Sequence, residues 1–366
     1  MTVRAGDAVE AGVGPADRAP EPVRLESVFE PAYAEWSRSA AASGNVFATP
    51  EFMRTWHGWS GRPPLRLIRV RTDARDTIGL LALAEERRGP LRLLRFAGHG
   101  PADLLGPIGD PHDRALLAAA LRAAIERSTR YDLFVGERLP GDYPWAAALG
   151  AVELGREGFP VVHLDPGAGW EGYLSRLGSR LRKEIRHDER ALERRGSVSL
   201  RVTSSRDTLD ADIDEFLRLH ALRWSDGSSS LLPMAPFLRA FAPIALERGW
   251  LRLAFLELDG RAVATRFDLR YGDVYAAVNG GRDPAYAREG VGLVIRGRTI
   301  RRALEEGVTE YRFLRGDEAY KYRFADHDPG LVSVIRARTA AGAAALQVLR
   351  GARRSGHLRK LLKRLA

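Results

Sequence analysis

The stretch Asp273-Val-Tyr-Ala-Ala-Val-Asn-Gly-Gly-Arg-Asp-Pro-Ala-Tyr-Ala-Arg-Glu-Gly-Val-Gly292 decides the fold of this chain. It predicts a strand over 273–278, a glycine-bearing turn, and a helix from about Val291 to Glu306. The helix has apolar positions at spacings of four, three and four, so that one face packs down: Leu293, Gly297, Ile300 and Leu304. Gly307 then closes the helix in the left-handed conformation. A second strand is predicted over 309–314, followed by a charged start to another helix.

Gly290 and Gly292 stand where the turn enters this helix. A helix start leaves several backbone N–H groups unpaired, with the positive end of the helix dipole behind them, and this geometry binds phosphate. The two glycines let a ligand's oxygens approach the backbone because no Cβ stands in the way. A merely flexible turn explains the same G-x-G pattern. The position between a strand and an amphipathic helix favours a phosphate-binding loop.

The residues 283–293 resemble the acetyl-CoA pyrophosphate loop of the GNAT N-acetyltransferase family, which is written Q/R-x-x-G-x-G/A. Both glycines match, whereas Ala287 stands at the first position and Arg288 follows one place later. Three other segments resemble the BioF2-like/CelD-type acyltransferases, which are similar to the FemABX peptidyltransferases: 47–56, 216–224 and 316–324. The resemblance spans roughly residues 24 to 340. It implies an α+β fold of two tandem GNAT-like halves, each a mostly antiparallel mixed sheet flanked by helices.

The chain is expected to divide into four parts. These are a disordered N-terminal segment at 1–22, a degenerate GNAT-like domain at 23–168, a GNAT catalytic domain at 169–340, and a basic amphipathic tail at 341–366. A strand at 159–164 is expected to complete the first half, which lacks a G-x-G at the place matching the phosphate loop. The catalytic domain is expected to begin with a basic connecting helix at 169–196, helical without a break over 170–195.

Composition and charge limit the classes of function. The chain has no cysteine and only scattered histidines, without a His-Glu-x-x-His pair, so no protein-bound metal and no thiolate nucleophile are expected. Neither a signal peptide nor a run of apolar residues long enough to span a membrane is recognisable, which favours the cytoplasm. The net charge is +10, and from Pro329 onward there are nine Arg or Lys and no Asp or Glu. The basic excess therefore belongs to the tail.

The resemblance implies acyl transfer, in which an amine attacks a thioester and a thiolate leaves. It places Tyr320 where a tyrosine protonates the thiolate, with Tyr322 as a close rival. It places Lys321 where a lysine stabilises charge at the reacting carbonyl. Asp317 is the candidate base, with Glu318 beside it, although acids at a helix start are also favoured there as caps by the helix dipole.

The resemblance also implies where the substrates lie. The pantetheine arm of acetyl-CoA, or of another acyl-CoA, is expected where the two strands of the opening stretch splay apart, bonded to the backbone near Val278 and Asn279. The pyrophosphate is expected at the loop: Arg288, Gly290, Val291, Gly292 and Leu293. Asp103 is expected to face the acceptor or to cap a turn. Arg182 and Lys183 on the connecting helix attract an anionic acceptor or a nucleic-acid backbone, or belong to a solvated face.

Three functions remain open at this point. The first is an N-acyltransferase that moves an acyl group, with acetyl favoured, from acyl-CoA to an amine on a sugar or a cell-envelope precursor. The second is a FemABX-like peptidyltransferase that uses aminoacyl-tRNA, and nucleic acid is a partner only here. The third is a non-catalytic protein that binds a polyanion or a membrane. The tail 341–366 fits a peripheral contact with an anionic membrane, at its inner face, and equally a solvated basic tail.

Overall fold

The computed structural model describes residues 24–28, 33–61, 65–72, 77–225, 227, 229 and 231–354. Two mixed sheets flanked by helices confirm the predicted α+β class. The strands are β1 Arg24–Val28, β2 Arg66–Arg71, β3 Thr77–Arg88, β4 Leu91–Phe96, β5 Ile108–Gly109, β6 Leu133–Pro140, β7 Val152–Glu157, β8 Val161–His163, β9 Val198–Val202, β10 Leu251–Leu258, β11 Arg261–Tyr271, β12 Val274–Arg282, β13 Glu310–Arg312 and β14 Leu331–Ala337. The predicted disordered segment 1–22 lies outside the described residues.

Helices cover both sheets. They are α1 Tyr33–Ala42, α2 Pro50–Ser60, α3 Arg114–Arg127, α4 Trp145–Leu149, α5 Gly169–Arg176, α6 Ser179–Glu193, α7 Arg206–Arg223, α8 Ala235–Glu247, α9 Val291–Glu305 and α10 Ala340–Arg354. Among the residues that the structure describes, none of these helices combines the length and the apolar character that a membrane crossing requires.

The first sheet has the order β1-β2-β3-β4-β6-β14-β7, with β5 paired to β3, and the second has the order β8-β13-β12-β11-β10-β9. Each sheet is antiparallel except for one pair of neighbours, β4 with β6 in the first and β12 with β13 in the second. Parallel neighbours need a crossover connection, and α9 supplies it in the second sheet. This crossover puts the glycine turn before α9 at one end of β12.

The prediction that the strand at 159–164 completes the first half was wrong. β8 pairs with β13 in the second sheet, with His163 opposite Glu310. In return, β14 lies between β6 and β7 in the first sheet, although it lies within the second half in sequence. A short apolar strand has the same periodicity in either sheet, so the sequence pattern could not show which sheet this strand joins. The sheets therefore exchange strands, and the expected boundary at residue 168 stays a prediction.

The connecting segment is two helices rather than the predicted single helix over 170–195. The chain breaks at Leu177, whose backbone is extended at φ −74° and ψ 151°, before α6 begins at Ser179. Leu177 is buried by this turn. Burial of one leucine in an extended conformation thus overrides helix propensity, which is only a weak preference.

The described part of the predicted tail is packed against the protein. In α10, Leu346 and Leu349 are buried in an apolar cluster with Leu133 and Ile335 of the first sheet. An amphipathic helix can place its apolar face on a sheet as well as on lipid. Residues 355–366 of the tail lie outside the described residues.

Candidate active site

The strands β12 and β13 separate after a short parallel pairing. Val274–Ala276 pair with Glu310–Arg312, whereas β12 continues to Arg282. Opposite β11, Phe267 faces Asn279 and Leu269 faces Ala276, so β12 carries one extra residue between those two pairs. Such a β-bulge leaves backbone groups unpaired and bends the strand. The predicted splay of the two strands is therefore present, with a bulge at its inner end.

A cavity of about 240 Å³ fills this split, and we call it the chamber. Its walls come from both halves of the chain. They consist of β12 residues 277–280, the first-half residues Phe47, Phe52 and Asp103, part of α8, and Phe313, Arg315, Glu318, Tyr320 and Lys321. The rings of Phe52, Phe237 and Phe241 lie 5.2–5.9 Å apart between centroids. One side of the chamber is thus a packed aromatic wall, and the other carries charged groups.

A second cavity, of about 400 Å³, opens at the start of α9, and we call it the anion cavity. Six arginines and two carboxylates line it: Arg223, Arg266, Arg282, Arg288, Arg296 and Arg323 with Glu184 and Asp188. Gly290, Gly292 and Leu293 belong to the same wall. The two cavities adjoin, because Arg223, Arg266, Gly280 and Tyr320 line both.

The backbone at the start of α9 has the features of an anion site. Gly290 has a φ of +62°, which favours glycine, and a Cβ there would collide with the carboxylate of Asp188. The N–H groups of Leu293 and Val294 donate to the Gly290 carbonyl at 2.7 and 3.1 Å. Within the described ranges, no carbonyl accepts from the N–H groups of Val291 and Gly292. Both N–H groups are therefore available to a ligand, while the side chain of Val291 is buried in the core.

Lys321 is a buried ammonium at the wall of the chamber, only 4% exposed. Its Nζ donates to the carbonyl of Arg315 at 2.5 Å and lies 2.9 Å from Oε2 of Glu318. Burial alone would raise the pKa of Glu318, but the hydrogen bond and charge of Lys321 outweigh it, so the pKa lies below its usual range. The segment 315–324, expected to start a helix, forms only a single 3₁₀ turn at Lys321–Arg323.

The two tyrosines of this segment occupy different places. Tyr320 lies between the cavities, with the guanidinium of Arg296 at 4.1 Å from its ring centroid. Tyr322 donates to Oδ2 of Asp328 at 2.7 Å and lines neither cavity. Asp317 also lies outside both cavities, because its Oδ1 accepts from the N–H of Gly158 at 2.7 Å.

The expected substrate residues separate into two groups. Asp103 lines the chamber, and its Oδ1 lies 2.8 Å from Nε of Arg315, so this ion pair joins the two halves. Arg182 donates to the carbonyl of Ser175 at 3.1 Å, and Lys183 is exposed on α6. The site therefore contains Asp103 and leaves Arg182 and Lys183 outside its walls.

Sequence reasoning missed Arg223, Arg266 and Arg296 as site residues. Arg266 pairs with Asp268 at 2.8 Å, and both are buried. Arg266 and Asp268 carry opposite charges two residues apart, so they lie on the same face of a strand, and their neighbours in that strand are buried. This pattern could have identified them as site residues from the sequence. Arg296 was recognisable as well, because it interrupts the apolar face of α9 three residues after Leu293. Burial alone would lower the pKa of Arg266, but the charge and hydrogen bond of Asp268 together with the neighbouring Tyr311 and Tyr320 raise it.

The described residues contain no group of three or more His, Cys, Asp or Glu that could hold a metal ion. The donors at this site are instead guanidinium, ammonium and backbone N–H groups, which suit anions and developing negative charge.

Comparison with known proteins agrees with this geometry. Residues 179–322 match the family model described as "Acetyltransferase (GNAT) domain". A solved structure of FemX is similar at a TM-score of 0.63 and 11% identity, covering 88% of this chain and 99% of that chain. The C-terminal domain of a putative lysylphosphatidylglycerol synthetase from Agrobacterium fabrum is similar at a TM-score of 0.53 and 12% identity, covering 86% and 94%.

A third solved structure, L-PGS from Bacillus licheniformis, is similar at a TM-score of 0.50 and 14% identity, covering 82% of this chain and 96% of that chain. A search of curated proteins gave no match. At these identities the structural likenesses show the fold alone. Together with the family match, they confirm the predicted architecture of GNAT-like halves arranged as in FemX.

Proposed function

This chain carries a GNAT acyltransferase domain within a FemX-like fold, and we propose that it moves an acyl group from acyl-CoA to an amine. The main support for this proposal is that the anion cavity and the chamber adjoin along β12. From Arg282 to Ala277 the strand runs five residues, about 16 Å at 3.3 Å per residue. An extended arm held by its phosphates at the start of α9 therefore ends at the bulge.

The chemistry is balanced without a redox partner. The amine nitrogen attacks the thioester carbon, a C–N bond forms, the C–S bond breaks, and the products are an amide and a thiol. The charge that develops on the carbonyl oxygen needs a donor. An ammonium has three N–H donors, and Lys321 uses one for Arg315 and one for Glu318, which leaves one for the substrate. Removing one such donor costs about 2.7–4 kcal/mol in enzymes where it has been measured.

The position of Tyr320 supports a role as proton donor to the leaving thiolate. It lines both cavities at their junction, where the sulfur of an arm lying along β12 would stand. The guanidinium of Arg296 packs on its ring, which holds the ring at this junction. Tyr322, which is bonded to Asp328 outside the cavities, lacks this position.

The acids near the site support different roles. Asp317 was the expected base, but its carboxylate is engaged by the N–H of Gly158. Glu318 lines the chamber and is held ionised by Lys321. An ionised carboxylate attracts an ammonium acceptor, so Glu318 and Asp103 together favour a cationic amine as the group that enters. The aromatic wall of Phe52, Phe237 and Phe241 favours an acceptor with an apolar body or a sugar face.

The proposal is tested by release of thiol from acetyl-CoA in the presence of amine acceptors. Because the chain has no cysteine, a thiol reagent reads product without a background from the protein. Amino sugars and aliphatic amines are compared with their hydroxyl analogues, with longer acyl-CoA donors as a second series. Amine-dependent thiol release is expected, reduced in Lys321→Met and unchanged in Arg301→Gln on the exposed face of α9. No release above the protein-free rate with any pair would contradict the proposal.

A second candidate is a FemABX-like transferase that uses aminoacyl-tRNA. The extent of the similarity to FemX favours it, because that structure is covered almost entirely. Product formation that needs aminoacyl-tRNA, together with no affinity for CoA, would select this candidate. A non-catalytic role on the same fold remains the third candidate. It predicts that Lys321→Met and Tyr320→Phe change nothing in the cell.

A peripheral contact of the tail 341–366 with an anionic membrane, from the cytoplasmic side, is also a proposal. The burial of Leu346 and Leu349 restricts it to the outward face of α10, where Val348 is 62% exposed, and to residues 355–366. Sedimentation with vesicles of anionic and of neutral lipid, using the full chain and a chain ending at residue 354, tests it. Equal sedimentation of both chains would contradict a role for the last residues.

A further inference from the structure

Three arginines meet where the chamber joins the anion cavity: Arg223 from α7, Arg266 from β11 and Arg296 from α9. We call them the junction cluster. Arg266 and Arg296 are 5% and 9% exposed, and Arg223 is half-buried. They are distinct in position from the start of α9. Arg296 lies five residues beyond Val291, which is about 7.5 Å along a helix.

The charge of the junction cluster is not balanced by the protein. Arg266 has Asp268 as its partner, at 2.8 Å. The other carboxylates around the cavities lie elsewhere: Glu318 pairs with Lys321, Glu184 with Arg323 and Asp103 with Arg315, and Asp188 lies against Gly290 at the start of α9. Three cations therefore face one anion, which leaves a surplus of two positive charges. Buried charge without a partner is costly, so a surplus at this depth indicates a ligand that supplies the missing negative charge.

The hydrogen bonds of the cluster are also incomplete. Within the described part of the chain, the Nε–H groups of Arg266 and Arg296 are buried and have no acceptor. Burial lowers the pKa of Arg296 to about 10, and the neighbouring charge of Arg266 acts in the same direction. Burial likewise lowers the pKa of Arg223. The aromatic ring of Tyr320 faces Arg296 but offers its Nε–H no oxygen acceptor.

The chemistry of the missing ligand follows from charge and shape. A pantetheine arm and a thioester are neutral, so they leave the surplus unchanged. A carboxylate removes only one charge. A phosphate monoester carries about −1.5 to −2 at pH 7 and presents three acceptor oxygens, which match guanidinium forks in pairs.

We propose that Arg223, Arg266 and Arg296 bind a phosphate group of a substrate at the junction, beside Tyr320 and apart from the start of α9. This proposal rests on the proposed function in one respect: the phosphate is taken to belong to a substrate of the acyl transfer. The phosphate comes either from the acceptor or from a donor whose phosphate lies close to its acyl group. Both sources share the same chemistry at the cluster.

The test is calorimetric titration of the full chain with inorganic phosphate. Arg296→Gln and Arg223→Gln remove one cluster member each, Gly292→Leu blocks the start of α9 without adding charge, and Arg301→Gln is the matched control on the exposed face of the same helix. Charged hydrogen bonds of this kind correspond to losses of about tenfold or more. We expect such a loss in both cluster variants, and near wild-type affinity in Gly292→Leu and Arg301→Gln.

Two results would overturn the proposal: no phosphate binding by the wild-type chain, or near wild-type affinity in both cluster variants, whatever the effect of Gly292→Leu. Circular dichroism and unfolding midpoints without phosphate show whether each variant is folded. If Arg296→Gln is not folded, Arg223→Gln, at the half-buried position, decides alone.

A second titration identifies the source of the phosphate. If phosphate still binds when CoA is saturating, the acceptor carries it beside the bound CoA. If CoA and phosphate exclude each other, an acceptor phosphate cannot lie beside bound CoA, and the phosphate belongs to a donor of another kind, whose phosphate lies close to its acyl group. Both results retain the junction cluster as a phosphate site. If CoA does not bind at all, acyl-CoA is refuted as the donor. The titration of the free protein with phosphate still tests whether the junction cluster binds phosphate. Failure of one proposal is therefore distinguishable from failure of the other.

Discussion

The imidazole Nδ1 of His220 lies 3.1 Å from the carbonyl oxygen of Gly280, the residue that lines both cavities. A carbonyl can only accept, so Nδ1 carries the proton, and Nε2 accepts from the hydroxyl of Ser229 at 2.7 Å. Beside it, a Cβ on Gly281 would collide with the backbone of His220. The close packing of α7 on β12 thus fixes the strand at the point where the donor would pass.

Because His220 is buried, we expect the free energy of unfolding to depend on pH. Burial lowers the pKa of His220 below its ordinary value, so the folded protein holds the neutral ring. As pH falls through about 6.5, the unfolded chain binds a proton that the folded chain resists, and stability is lost. Urea unfolding at pH 7.5 and pH 5.5 measures this loss. We expect a smaller loss in His220→Gln than in the wild type, and an equal loss in both would contradict the role of the ring.

Substitution of Lys321 by methionine should lower kcat by about 100- to 1,000-fold, the range found for the loss of one oxyanion donor. The affinity for CoA should change little, because the proposed role places the lysine at the reacting carbonyl rather than at the phosphates. Steady-state kinetics and calorimetry on the same preparation separate the two. A variant that loses CoA affinity while keeping kcat would assign Lys321 to binding instead.

The two neighbouring tyrosines should behave differently. Tyr320→Phe should lower kcat at an unchanged Kd for CoA, because the donor of the proton is gone. Tyr322→Phe should leave kcat unchanged and cost up to about 1 kcal/mol of unfolding free energy, since it loses only the bond to Asp328. The reverse pattern would show that Tyr322 is the proton donor.

Asp103 should act on the acceptor alone. Asp103→Asn removes a charge from the chamber and weakens the pair with Arg315, so we expect a higher KM for a cationic amine at an unchanged Kd for CoA. A double-mutant cycle with Arg315→Gln should show coupling, because contacting residues couple by about 0.5–3 kcal/mol. Equal KM values for the amine in wild type and Asp103→Asn would place the acceptor elsewhere.

Gly290 should tolerate no side chain unless Asp188 is shortened. Gly290→Ala meets both a positive φ and the carboxylate of Asp188, so CoA affinity and stability should fall together. Adding Asp188→Gly removes the collision but leaves the cost of the left-handed conformation, about 1–2 kcal/mol, and adds about 1 kcal/mol for a glycine inside α6, which the Asp188→Gly single variant measures. Unfolding midpoints of the single and double variants measure the difference. No recovery in the double variant would show that the collision is not the cause.

Much of the second half was predictable from local pattern. The glycine turn and the amphipathic face of α9 each have a short-range signal, and the structure places both as expected. Threonine followed by proline is also typical of a helix start, and the hydroxyl of Thr49, before Pro50, accepts from the N–H of Phe52. These features depend on neighbours within a few residues.

The remainder depends on partners far apart in the chain. The exchange of β8 and β14 between the sheets, and the packing of α10, are set by burial against distant strands. The junction cluster draws on three elements, α7, β11 and α9, so no single segment displays it. Arginine is abundant throughout this sequence, which hides the few that are buried.

We predict that the donor is held at the start of α9 and reaches the chamber along β12. Calorimetric titration with CoA and acetyl-CoA tests it most directly, using the wild type, Gly292→Glu, its neutral counterpart Gly292→Gln, and Gly58→Glu as a control at an open helical glycine. We predict saturable binding by the wild type and Gly58→Glu, weaker binding by Gly292→Gln, and none by Gly292→Glu. Binding that Gly292→Glu leaves intact, or no binding by the wild type, would contradict the claim.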